Sequence, residues 1–221
     1  MKYRALIFDL DGTLLNTLLD LTNSVNYALE SHGYDRLSEE KIRQSLGYGV
    51  EKLIEFCTPG GRENPKYESI LKMYKSYYAG HSEIKTRPYD GINDLIDRLH
   101  LAGIKTAVVS NKQHEAVVTL AKKYFPSIKV AEGERENEGI RRKPYPDMVI
   151  HAVNEIGWIM TECAFVGDSE VDIETAKNAG MDSISVDWGF RDRTELLKAG
   201  ADIIVSTADE LYSIAVSRNM K

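Results

Sequence analysis

From Pro88 onward, short apolar runs alternate with segments of helical periodicity, and this alternation restricts the fold more than any other feature of the chain. The predicted series is helix 91–102, strand 104–109, helix 113–124, strand 128–131, helix 146–156, strand 164–166, helix 171–179, strand 183–186, helix 193–199, strand 203–205 and a last helix from Asp209. Strands separated by helices are joined by crossovers and lie parallel, so the fold class is α/β with a doubly wound parallel sheet. One further strand, Ala5–Phe8, stands apart from the series. Residues 16–84 between them carry helical patterns and no convincing strand. Leu18, Leu21, Val25, Ala28 and Leu29 recur at helical spacing up to a stop at Gly33. A second helix is expected from Ser38 as N-cap to Gly47, a third over 49–57, a loop at Pro59-Gly60-Gly61, and a fourth helix over 65–78 closed by Gly80. The organisation predicted is a core of residues 1–15 and 85–221 with a small α-helical domain, 16–84, inserted after the first strand. The two connections, near Leu15–Thr17 and Lys85–Pro88, are where the chain is expected to flex.

A length of 221 residues suits one large domain or a domain with a modest insertion. The net charge of −6 argues against a nucleic-acid surface, which needs a basic face. No run approaches the roughly 18 apolar residues that span a membrane, and Met1-Lys2-Tyr3-Arg4 leads straight into a strand, so a cytoplasmic protein is expected. Cys57 and Cys163 are far apart and match no metal spacing. The histidines form no pair at ligand spacing, and Tyr67, Tyr74, Tyr77 and Tyr78 are expected to pack the helical domain.

The candidate chemistry begins where the first strand ends. Ala5-Leu6-Ile7-Phe8 runs into Asp9-Leu10-Asp11-Gly12-Thr13, two carboxylates two residues apart and then a glycine. Ligands of open α/β sheets collect at the carboxyl ends of strands. Asp9 is thus placed as a nucleophile or metal ligand and Asp11 as an acid or base, although the same pair could cap the next helix. Three later segments repeat the theme of an apolar run or a fixed turn followed by groups a phosphate or a metal uses: Thr106–Asn111, Arg142–Asp147 and Ala164–Asp172. Ser110 offers a hydroxyl and Asn111 an amide, with helix capping as the structural alternative. Lys143 stands in a basic run that could be solvated surface, but Pro144 and Pro146 fix the backbone beside it. Asp168-Ser169 follows Gly167 and could equally be an N-cap.

In order and spacing the four segments resemble the motifs of the haloacid dehalogenase-like hydrolase superfamily, and the phosphoglycolate phosphatase-like branch in particular. The resemblance spans essentially the whole chain. It implies a Rossmann-like core with a helical cap inserted after the first strand, and hydrolysis of a small phosphate monoester through an aspartyl-phosphate. It implies Mg2+ held by Asp9, the Asp11 backbone carbonyl and Asp168, with Asp172 supporting. Asp9 would be the nucleophile, Asp11 the acid and then the base, and Lys143 the cation balancing the charges, with Ser110 and Asn111 binding phosphate. Asp11 separates phosphatases from the dehalogenases, which lack an acid there. Substrate choice is expected in the cap, at Gly47-Tyr48-Gly49 with Lys52 one turn on, or else that segment is a simple helix-to-helix turn. The expected partner is a small phosphorylated metabolite, with no nucleic acid or membrane, and the chain a monomer or homodimer. A phosphosugar mutase, a pyrophosphatase or nucleotidase, and a non-catalytic phospho-accepting module are the rival readings.

Overall fold

The computed structural model describes residues 2–217, so the Met1 end of the expected lead into the first strand lies outside them. The chain passes from β1 (Ala5–Phe8) through the short β2 (Leu15–Asn16) into helices α1 (Leu18–Glu30), α2 (Glu39–Arg43), α3 (Val50–Cys57) and α4 (Tyr67–His81), and returns through β3 (Arg87–Pro88), which pairs with β2. Helices and strands then alternate: α5 (Ile92–Leu101), β4 (Lys105–Gln113), α6 (His114–Tyr124), β5 (Val130–Glu134), α7 (Asp147–Ile156), β6 (Cys163–Gly167), α8 (Glu170–Ala179), β7 (Asp182–Val186), α9 (Arg193–Lys198), β8 (Ile204–Val205) and α10 (Ala208–Val216). Two compact units result, one made of the chain up to Leu15 and from Pro88 on, the other of Asn16–Arg87.

The first unit is a six-stranded sheet in the order β5-β4-β1-β6-β7-β8. Central β1 is parallel to both neighbours, with Phe8 opposite Val108 of β4 and Val166 of β6. Its four residues are fully buried and alternate between two cores. Leu6 and Phe8 pack with Val108, Val166 and Ile184 against Leu95, Leu99, Val117 and Leu211 of α5, α6 and α10. Ala5 and Ile7 pack with Val109 and Phe165 against Met148, Val149, Val153 and Ala176 of α7 and α8. A strand covered on both faces has no polar side, which is why these strands read as unbroken apolar runs. The doubly wound parallel sheet expected from the alternation is present. No helix among the described residues is long and apolar enough to cross a membrane.

Three local expectations need correction. Strand β4 does not stop at Val109 but continues to Gln113, because after a register shift it resumes pairing, with Gln113 opposite Glu134 of β5. Helix α2 ends at Arg43, short of Gly47, whose φ of 115° no right-handed helix accepts. Gly80 does not close α4, which runs through it to His81 without the positive φ of a glycine stop.

In the helical unit, Ser38 caps α2 as expected, accepting from the Lys41 N–H at 3.2 Å. Asn26 of α1 bonds both the N–H and the carbonyl of Leu37, tying the α1–α2 connection to the helix. Tyr67 and Tyr74 are buried, while Tyr77 stacks between Tyr27 and His81 with ring centroids 3.9 and 3.8 Å away. Buried Asp20 accepts from the N–H groups of Lys85 and Thr86 and from the Thr86 hydroxyl at 2.8–3.0 Å. One carboxylate near the start of the unit thereby holds the segment on which the chain leaves it.

Candidate active site

Asp9 past the end of β1, Asp168 past the end of β6, Asp172 on α8 and Lys143 on the segment before α7 come together. Past Phe8, the N–H of Asp9 still bonds the Val166 carbonyl at 2.8 Å, so the chain leaves β1 in a fixed direction. It then folds into a compact turn in which Leu14 and Leu15 donate to the Leu10 carbonyl and Gly12 to the Leu15 carbonyl. Gly12 has a φ of 88°, and a Cβ there would lie 2.4 Å from Asp168 Oδ2. Only glycine lets this turn meet the second acidic loop.

Asp9, Asp168 and Asp172 each place a carboxylate oxygen within 4.8 Å of the others, and all three are buried. Their neutralising charge is Lys143, 3% exposed, with Nζ 2.8 Å from Asp9 Oδ1 and 2.7 Å from Asp172 Oδ1. Lys143 is itself held by Asn111, whose side chain accepts from the Lys143 N–H at 2.7 Å and donates to its carbonyl at 3.0 Å. The Asn111 amide, expected to face a phosphate, is therefore engaged in fixing the lysine segment. Asp172 Oδ2 accepts from the N–H groups of Asp168 and Ser169 and from the Ser169 hydroxyl, at 3.2, 3.1 and 2.6 Å. Ser169 is the N-cap of α8, as the capping alternative had it, in a capping box with Asp172, which also carries the bond to Lys143.

Burial dominates the electrostatics. It pushes the Asp9 carboxyl up to about 7 against the opposing Lys143 ammonium, with Asp172 and Asp11 adding to the rise. Asp168 is held well above the usual carboxylate range by burial and then by Asp172 and Asp9. Burial would lower Lys143, but the Asp172 and Asp9 carboxylates outweigh it and hold the ammonium above its ordinary range. A carboxylate triad with one cation carries excess negative charge in a dry site. Asp9 Oδ1 is moreover buried without a well-directed hydrogen bond, although Lys143 is at ion-pair distance. Hard oxygen donors with such a deficit fit a divalent cation like Mg2+. Asp172 Oδ2 accepts three hydrogen bonds and its Oδ1 the Lys143 ammonium, whereas each Asp168 oxygen accepts a single hydrogen bond, so Asp9 and Asp168 keep the lone-pair capacity to hold one.

Two groups that sequence reasoning missed complete the site. Lys112 Nζ lies 3.0 and 2.8 Å from the two Asp11 oxygens, fixing the direction of that carboxyl. The loop after β7 supplies the Phe190 N–H to Asp168 Oδ2 at 2.7 Å and the Trp188 indole N–H to the Thr13 carbonyl at 3.1 Å. Neither is signalled locally, since Lys112 meets Asp11 across 101 residues and Phe190 acts through its backbone. Ser110 is buried and its Oγ sits 3.4 Å from the Lys112 N–H. Tyr48 and Lys52 belong to the helical unit, Tyr48 between glycines with φ of 115° and 86°, Lys52 on α3 paired with Glu55 at 3.0 Å. Away from these residues, Glu132, His151 and Glu155 also cluster, but Glu132 is already bonded by Arg135 and by His151.

Residues 6–186 match the family model of the haloacid dehalogenase-like hydrolases. The chain belongs to that family. Within it, this hydrolase is an enzyme of the phosphoglycolate phosphatase-like branch. It is 31% identical over 221 residues to a phosphoglycolate phosphatase of Neisseria meningitidis, covering 95% of this chain and 92% of the relative. It is 28% identical over 219 residues to an N-acetylmuramic acid 6-phosphate phosphatase of Pseudomonas aeruginosa, covering 97% and 95%. Among solved structures, a candidate phosphoglycolate phosphatase of Lactobacillus delbrueckii subsp. bulgaricus superposes with a TM-score of 0.93 at 40% identity, covering 99% of this chain and all of that one.

Proposed function

We propose that this hydrolase is a Mg2+-dependent phosphatase of a small phosphate monoester, 2-phosphoglycolate or a metabolite like it, acting through an aspartyl-phosphate on Asp9. The observation that carries the reading is the buried Asp9 carboxylate at the end of β1, with an undirected oxygen, Lys143 at 2.8 Å and Asp168 beside it. Asp9 attacks phosphorus, the ester P–O bond breaks, and Asp11 gives its proton to the departing alkoxide. Asp11 then takes a proton from the water that cleaves the acyl-phosphate, which frees phosphate and restores Asp9. Lys143 offsets the charge of Asp9 and of the phosphoryl oxygens, and the Ser110 hydroxyl donates to one of them. Asn111 and Asp172 keep Lys143 in place. Mg2+, held by Asp9, Asp168 and the Asp11 carbonyl, would supply the charge neutralisation that lets an anion approach an anionic phosphorus.

The helical unit is the cap in this reading, with Tyr48 and Lys52 selecting the leaving group. The enzyme is proposed to work in the cytoplasm, as a monomer or homodimer, without nucleic acid or membrane. Relatives named for different phosphate esters support the chemistry while leaving the ester open. The test is phosphate release with Mg2+ over 2-phosphoglycolate, hexose phosphates, nucleotides and pyrophosphate. Release from a monoester that EDTA abolishes and Mg2+ restores is expected. Interconversion of hexose phosphates without release, or turnover indifferent to EDTA, would overturn the proposal. Tyr48→Ala is expected to reorder the panel more than it slows a generic aryl phosphate.

A further inference from the structure

Asp168 differs from the other site carboxylates in what aims it. Asp172 is bonded by its own loop and Asp11 by Lys112, but Asp168 Oδ2 is held from outside all four motifs, by the loop between β7 and α9, and Oδ1 by Thr13 of the first motif, to which the same loop bonds. Oδ2 accepts from the Phe190 N–H at 2.7 Å, and Oδ1 from the Thr13 hydroxyl at 3.0 Å. Thr13 is in turn fixed by the Trp188 indole N–H, 3.1 Å from its carbonyl. The Trp188 ring packs on the core that contains Phe8 and Val166 of the two strands carrying Asp9 and Asp168. Between the two contacts stands Gly189, where a Cβ would lie 2.3 Å from the Gly12 carbonyl oxygen and 2.4 Å from Asp168 Cβ. Gly12 oxygen is backbone and cannot swing aside. Past Phe190, buried Arg191 closes the loop onto α8 through two bonds to Glu170, both 2.9 Å.

We propose that Trp188 and Gly189 are positioning residues for Asp168 and thereby set how tightly this hydrolase holds its divalent cation. The inference rests on the metal role proposed for Asp168 above. A carboxylate with each oxygen already accepting one hydrogen bond has one orientation and one remaining lone-pair direction per oxygen, so a cation meets it without rotamer loss. Trp188→Phe keeps the ring and removes the donor, which loosens Thr13 and with it Oδ1. Gly189→Ala forces the loop outward and withdraws the Phe190 N–H from Oδ2.

The test is binding of Mn2+ alone, read from the electron paramagnetic resonance of the free ion and independent of turnover. Outer partners of a metal ligand are worth about 10–100-fold in affinity. Trp188→Phe is expected near the lower end of that range and Gly189→Ala near the upper. Gly80→Ala, on an exposed helical position with open space around it, should bind as the parent does. Parent-like binding by Trp188→Phe, in a fold shown intact by circular dichroism, would overturn the inference while Asp168→Asn still loses the ion. If Asp168→Asn binds Mn2+ as the parent does, the metal role of Asp168 fails and the inference falls with it. Trp188→Phe adds no atom to the crowded turn, so it carries the test should Gly189→Ala not fold.

Discussion

Replacing Lys143 by Met isolates the charge balance at the centre of the site. The substitution keeps the volume of the stem but removes the ammonium, which lies 5.4 Å from the Phe165 ring centre, and strands the carboxylates of Asp9 and Asp172 that Nζ touches at 2.8 and 2.7 Å. Breaking a buried pair by removing one partner costs about 3–5 kcal/mol, since the surviving charge stays dry and uncompensated. At roughly 2–4 °C per kcal/mol for a unit of this size, the melting transition of the α/β unit should fall by ~6–20 °C near pH 8. The loss should depend on pH with a defined sign. Without the ammonium, the Asp9 carboxyl in the folded state rises further above its already raised value of about 7. A folded value above the unfolded one contributes stability that is fully present below the unfolded value, near 3.8, and lost as pH rises through the folded one. The deficit against the parent should therefore be small near pH 4 and widen through pH 7 and beyond. Calorimetric melting of both proteins across that range measures it. A deficit of only a degree or two, or one that does not change with pH, would refute the argument that this lysine neutralises buried carboxylates.

Two further outcomes can be checked independently. Asp20→Ala should lower the stability of the helical unit by roughly 2–3 kcal/mol, because the N–H groups of Lys85 and of buried Thr86 lose a charged acceptor, and urea melts of the unit's signal read this directly. Burial pushes the Cys57 and Cys163 thiols up to about 11 from 9.0, so the native protein should react slowly with a thiol reagent at pH 8. Because the folded value is the higher one, the stability this contributes is complete below pH 9 and lost as pH rises toward 11.

What the sequence discloses and what it hides divide along a physical line. The central strands were legible because a strand buried on both faces must be apolar throughout, as Ala5–Phe8 is. The end of β4 was not, since Ser110, Asn111 and Lys112 are polar for reasons of chemistry while their backbone stays extended. Asp9, Asp11 and Asp168 stand out because each follows an apolar run that ends at the sheet edge, and Lys143 through the family resemblance, and the structure gathers Asp9, Lys143 and Asp168 around Asp172. The partners that orient them were hidden. Asn111 reads as an amide for a ligand and serves the Lys143 backbone, Lys112 reads as one more surface lysine, and the loop after β7 acts through a glycine and an N–H that carry no side-chain signature. Gly80 shows the converse error, a glycine without the conformation that makes glycine a helix stop.

The central claim is that phosphoryl transfer passes through Asp9, and acid-quenched turnover analysed by mass spectrometry of the Asp9 peptide tests it most directly. With 2-phosphoglycolate, or the ester that the panel favours, and Mg2+, a phosphoryl group is predicted on Asp9. It should accumulate in Asp11→Asn, where hydrolysis is slowed, and be absent from Asp9→Asn. An active parent with no label on Asp9 under any of these conditions, or an Asp9→Asn protein that still releases phosphate, would contradict it.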